Sequence, residues 1–151
     1  MGISYDCNLI VGIKLDIDKR SVKIPSSLVT RYDEFSGKPY QKTVNKSEDK
    51  YFLNGVEINE DDISNVCEAL QCCDGIDSFF GDGSEEVYGL QLQEIEVNIA
   101  CEVDYSKSLP LIDKVRRTLK KMDMSGLSEA NKLFLNELSN NIKLYVFYTL
   151  R

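Results

Sequence analysis

Between Leu9 and Ile17 the chain alternates. Leu9, Val11, Ile13, Leu15 and Ile17 are apolar, and Asn8, Lys14, Asp16 and Asp18 lie among them. Period two over nine residues specifies a strand with one buried face, because successive side chains of an extended backbone point to opposite sides. The pattern returns after Val87, with Tyr88, Leu90 and Leu92 on one phase. Ile95, Val97, Ile99, Cys101 and Val103 then continue on the other. A slip of one residue near Gln93-Glu94 predicts a bulge or tight turn. On this reading residues 94–104 form the most regular strand, with Glu94, Glu96, Asn98, Ala100, Glu102 and Asp104 on its polar face. A third run, Ile142 to Leu150, is largely apolar on both faces, which predicts an interior strand.

Turn chemistry divides the rest. Asp18-Lys19-Arg20-Ser21 reads as a turn, and Pro25, which has no N–H, limits pairing over Lys23–Ser26. Ser36-Gly37 closes a hairpin over Leu28–Lys46, with Gly37 free to take positive φ. Val44 to Lys50 reads as a polar link. Asn54-Gly55 is the strongest short hairpin signal and joins Tyr51-Phe52-Leu53 to Val56-Glu57-Ile58. Residues 76–86, with Phe79-Phe80 and Gly81-Asp82-Gly83, read as a loop.

Three helices follow from spacing and caps. Asn59 caps the first, with Glu60, Asp61 and Asp62 at the positive end of its dipole, Ile63, Val66, Cys67 and Leu70 on its apolar face and Gly75 near its end. Another starts near Ser108 with Pro110 in its first turn, and buries Leu111, Ile112, Val115, Leu119 and Met122. The third runs from about Leu127 to Leu138, with Leu127, Ala130, Phe134 and Leu138 inward. The order predicts an α+β fold: a mostly antiparallel sheet of about five to seven strands with about three helices packed on one face. At 151 residues, with no internal repeat and no long linker, residues 1–151 are expected to form a single domain.

Charge is distributed unevenly. Tyr51 to Ser106 contains fourteen of the 25 carboxylates and neither Lys nor Arg. Residues 1–50 carry nine cations against seven anions, and residues 107–151 nine against four. Solvated surfaces ordinarily mix both signs. A single-sign face steers an oppositely charged partner. The candidate partner-binding residues are therefore Glu94, Glu96, Glu102 and Asp104 on the predicted strand, Asp82, Glu85 and Glu86 in the loop, and Phe79 and Phe80 as aromatic anchors. The expected partner is a basic protein, and a groove built to hold nucleic acid meets that description. A phage or mobile-element inhibitor acting by nucleic-acid mimicry fits the charge and size. Nucleic acid itself is repelled, although Lys114, Arg116, Arg117, Lys120 and Lys121 give one helix a basic face.

Catalytic readings are weaker. There is no histidine, which removes Ser-His-Asp and Cys-His chemistry within the chain. No nucleophile elbow, glycine-rich dinucleotide turn or CxxC pair is present. Cys67, Cys72 and Cys73 lack zinc spacing. Asp16 with Asp18, or the acids of residues 74–86, are the candidates for a metal-dependent enzyme, the alternative function. A structural or assembly subunit is the third reading, favoured if the final strand lies at an exposed edge. No cofactor is expected. Five cysteines in no framework spacing, no apolar run of membrane-spanning length and no signal-peptide pattern at the first residues make a cytoplasmic, membrane-free location the expectation.

Overall fold

A computed structural model describes residues 5–81, 85–96 and 99–150. The elements are β1 (Tyr5–Tyr32), β2 (Pro39–Leu53), β3 (Val56–Ile58), α1 (Glu60–Gln71), β4 (Asp77–Phe80), β5 (Glu85–Ile95), α2 (Ser108–Lys120), α3 (Glu129–Asn140) and β6 (Lys143–Leu150). Among the described residues six strands form one antiparallel sheet, and with three helices the fold is α+β.

Strand β1 organises everything. Its first half pairs with β5 from Cys7–Ile95 to Asp16–Glu85 and with β6 from Tyr5–Leu150 to Gly12–Lys143. Its second half, Ile17 to Tyr32, pairs with β2. Strands β6 and β2 lie end to end along one edge of β1, and the Asn54-Gly55 turn occupies the gap between them. The alternation at Leu9–Ile17 has the expected outcome: Leu9, Val11, Ile13 and Leu15 are buried. Ile13 and Leu15 meet Leu53, Tyr88, Val66 and Leu70 of α1, Val115 and Leu119 of α2 and Leu135 of α3 in the main core.

The face away from the helices has a small core of its own. Ile10, Val87 and Phe147 are buried there, with Phe79 and Tyr145 against them. Phe79 on β4 and Phe147 on β6 stand three strand spacings apart, about 14 Å in a flat sheet. Their ring centroids are 6.3 Å apart. The sheet therefore curls sharply about β1–β5, where Gly12 and Gly89 pair across the ladder. A Cβ on Gly12 would stand 2.1 Å from the Tyr88 carbonyl oxygen, and one on Gly89 2.0 Å from that of Val11. Only glycine fits this approach of two backbones.

Five expectations are corrected. First, Asp18–Ser21 is not a turn, and Val44–Lys50 is not a link: both belong to an unbroken ribbon of β1 and β2. Pro25 sits in a bulge of that ribbon, where the register shifts between Ile24 and Ser27. Second, residues 76–86 contain β4 and the start of β5 rather than loop alone. Third, the strand expected over 94–104 ends at Ile95. The β1–β5 ladder stops at Cys7–Ile95, and an extended backbone without a ladder leaves its polar groups unpaired. The chain folds back instead: Gln93 Nε2 donates to the Glu102 carbonyl at 3.0 Å. The expected slip is present slightly earlier, as a bulge that places Leu92 between Gln91 and Gln93 of β5.

Fourth, β6 is an edge strand, not an interior one; among the described residues it pairs only with β1. Tyr145 and Phe147 enter the small core, while Leu144, Val146 and Tyr148 remain exposed. Fifth, the inward side of α3 differs in part: Leu127, Phe134 and Leu138 face the core as expected, but the deepest stripe of the helix is Asn131, Leu135 and Ser139, and Ala130 is exposed. Two polar residues on the buried stripe concealed it from an apolar count. Helix α1 matches expectation, with the Asp62 N–H donating to Asn59 Oδ1 at 2.9 Å.

Candidate docking site

From Lys19 to Lys50 no residue is buried. The two strands of this segment form a free-standing arm, fourteen residues long on the β1 side, and so about 45 Å in reach. Its composition suits a solvent-exposed ribbon. Val29, Thr30, Tyr32, Tyr40, Thr43 and Val44 favour extended backbone. Gln41 Nε2 donates to Thr30 Oγ1 across the strands at 3.2 Å. At the base, the Arg20 guanidinium lies 4.4 Å from the Phe52 ring centroid, and Lys19 pairs with Asp49 at 3.4 Å. That carboxylate raises the ammonium pKa of Lys19.

The tip is built around Asp33. The Asp33 N–H donates to the Lys38 carbonyl at 3.0 Å, the Gly37 N–H to the Asp33 carbonyl at 2.9 Å, and the Phe35 N–H to Asp33 Oδ1 at 2.8 Å. Gly37 takes φ +70°, as the turn requires. On this turn Phe35 is 99 % exposed. Leu28, Tyr32 and Tyr40 are exposed nearby along the ribbon.

The arm is also basic. It carries eight cations against four anions, so the rest of a chain of net charge −7 holds an excess of eleven negative charges. Lys23, Arg31, Lys38, Lys42 and Lys46 form no ion pair among the described residues, whereas Lys19, Arg20 and Lys50 at the base are paired.

A pocket of about 300 Å³ opens beside the arm's base. Leu53 and Val56 of the β2–β3 hairpin, Asp62 of α1, and Ala130, Asn131 and Phe134 of α3 contribute to its wall. Val56 is 62 % exposed. Asn131 is 5 % exposed, and its Nδ2 finds no acceptor among the described residues. Its apolar wall suits an apolar side chain, and Glu57 and Asp62 place negative charge beside it.

The residues proposed from sequence do not converge. Glu85 and Glu94 stand nine steps apart on β5, about 30 Å. Glu85 pairs with Lys14 at 3.6 Å. Glu86 accepts from the Tyr88 hydroxyl and, at 3.6 Å, from Cys67 Sγ. Glu96 and Glu102 lie in the returning loop, and the Glu96 carbonyl accepts from Cys101 Sγ at 3.9 Å. Asp104 caps the 3-10 turn Tyr105–Lys107, and its bonds from Ser106 lower its pKa. Phe79 belongs to the small core, while Phe80 is half exposed and meets Tyr88 edge-on at 6.2 Å. Asp82 lies outside the described residues.

The chemistry of the remaining candidates is limited. Burial, reinforced by Glu86, pushes the Cys67 thiol up to about 12, so it is no thiolate nucleophile near neutrality. Burial likewise raises Tyr88. Asp18 accepts from Arg20 at 2.8 Å. No three His, Cys, Asp or Glu side chains among the described residues converge to hold a metal ion. On the basic face of α2, Arg116 Nε donates to the Ser139 carbonyl at 3.3 Å and its guanidinium pairs with Asp113. No helix among the described residues is long and apolar enough to cross a membrane.

Sequence reasoning found the outer part of the arm, as the Leu28–Lys46 hairpin closed at Ser36-Gly37, and missed its continuation to the body and the pocket. Exposed on both faces, the inner part lacks the alternation that betrays a half-buried strand. No family model matches the chain, and no curated protein or solved structure matches it, so function is argued from this geometry.

Proposed function

We propose that this protein is a docking or assembly protein that engages its partner through the β1–β2 arm. The observation that carries this is the arm itself, an ordered ribbon with no buried residue that presents Phe35 at its tip. A two-stranded ribbon alone is marginally stable in water. Its exposed aromatic residues and two open edges gain burial and backbone bonds only from another surface. The segment 21–49 supplies about as many residues as one side of a standard interface, roughly 20–30. This reading is binding, not catalysis.

The test shortens the arm. A chain in which residues 24–46 are replaced by an Asn-Gly turn is expected to keep the unfolding transition of the body and lose partner binding. A photo-reactive residue at position 35 is expected to cross-link the partner. Equal binding by full-length and shortened chains sinks the reading.

A second reading retains the acidic body as the contact surface of an inhibitor of a basic, nucleic-acid-handling protein. The negative excess of the body favours it. It requires salt-sensitive binding that survives removal of the arm, which separates it from the first.

A further inference from the structure

We propose that the partner of the arm is a second copy of this chain: the tip of one molecule docks in the pocket at the base of the next molecule's arm, giving head-to-tail assembly. This rests on the arm being the docking element, and it adds the receptor.

Two observations meet. The tip presents Phe35, wholly exposed, on a turn already closed by hydrogen bonds, so little ordering cost attends its burial. The pocket offers Leu53, Val56, Ala130 and Phe134 to such a ring, in about 300 Å³.

Charge supports the same pairing at the level of the whole arm. The tip itself is neutral, Arg31 and Lys38 balancing Asp33 and Glu34, but the arm carries eight cations against four anions. Asp62 lines the pocket, and Glu60 and Asp61 precede it in the first turn of α1. A basic arm is attracted to the acidic body that holds the pocket.

Geometry makes the contact intermolecular. The pocket adjoins the base of the arm and the tip stands about 45 Å away along a paired ribbon, so no molecule reaches its own pocket. Tip and pocket are different surfaces. Each junction therefore leaves a free tip at one end and a free pocket at the other, and the assembly grows as an open chain or closes as a ring.

The test is sedimentation of the full chain over a range of concentrations at low and high salt. Wild-type protein is expected to associate as concentration rises, less so in high salt. Phe35→Ala and Ala130→Trp each alter an exposed residue, and circular dichroism is expected to show both folded. Each is expected to weaken association by about 30-fold or more, the effect of losing an interface hot spot. An equimolar mixture of the two is expected to form pairs and nothing larger, because one intact tip meets one intact pocket. Three results overturn the proposal: wild-type protein that stays single at every concentration, variants that associate as wild type does, or a mixture that forms no pairs. A single-copy wild type whose position 35 still cross-links a different protein retains the arm as a docking element and removes only the self-assembly.

Discussion

Asn54 takes the place of a strand beside Asp16. The Asp16 N–H donates to Asn54 Oδ1 at 2.7 Å, and the Asn54 N–H donates to the Asp16 carbonyl at 2.9 Å. Its Nδ2 then donates to the Lys14 carbonyl at 3.1 Å. One side chain thus satisfies β1 where β2 has ended and β6 has not begun, and does so with φ +50°, which asparagine tolerates. Asn54→Ala is expected to cost about 1–2 kcal/mol by removing the two side-chain bonds, to the Asp16 N–H and the Lys14 carbonyl. Urea unfolding checks this, and Asn54→Asp, which keeps the acceptor for Asp16, is expected to lose less.

The Gly12–Gly89 crossing predicts a larger loss. Alanine at either position places its Cβ against a backbone carbonyl that cannot swing aside. Gly89→Ala is expected to destabilise by about 3 kcal/mol or to prevent folding. Thermal unfolding measures it, and Gly126→Ala, where a Cβ would meet nothing within 4 Å, is the control.

Phe35→Ser separates stability from assembly. The side chain is exposed on the tip, so unfolding free energy is expected to stay within about 0.5 kcal/mol of wild type. A loss well beyond that would mean the ring packs within its own molecule.

High pH is expected to weaken the body. Cys67 rises from its ordinary 9.0 to about 12 in the folded chain, first through burial and then through Glu86. The unfolded thiol therefore ionises before the folded one. Its contribution is complete below pH 9 and is lost as pH climbs toward 12. Tyr88, also raised by burial, acts in the same direction at higher pH. Urea midpoints across this range are expected to fall, and Cys67→Ala is expected to flatten the early part. The same protonation predicts that exposed Cys72 is alkylated well before Cys67 at pH 8.

What the sequence disclosed depended on burial. Leu9–Ile17 was readable because one face meets the helices, and Asn54-Gly55 and Asn59 because turns and caps are written in single residues. Beyond Ile95, Ile99, Cys101 and Val103 carried the same alternation without a ladder to join, and Val97 lies outside the described residues. Ile142–Leu150 read as interior because Phe147 and Tyr145 enter the concave face while Leu144, Val146 and Tyr148 remain exposed, a result of curling that no local pattern states. The acidic run was real in sequence, but the fold divides it: Glu60, Asp61, Asp62 and Glu68 ride on α1, Asp77 on β4, and Glu85, Glu86 and Glu94 on β5. Pocket and tip lie far apart in the chain, at residues 53–62, 128–134 and 33–38, and only the fold gives them their complementary forms.

Because β1 passes from the centre of the sheet to the end of the arm as one strand, the ribbon is clamped at its root and behaves as a lever. A tilt of about 5° near Asp18 would sweep the tip by about 4 Å, given its reach of about 45 Å. The irregularity at Pro25 interrupts the ladder along that beam. A load pulling on the tip is therefore borne by the ladder that β1 shares with β5, so the strength of any attachment made by the arm is bounded by the mechanical resistance of the body's own interior.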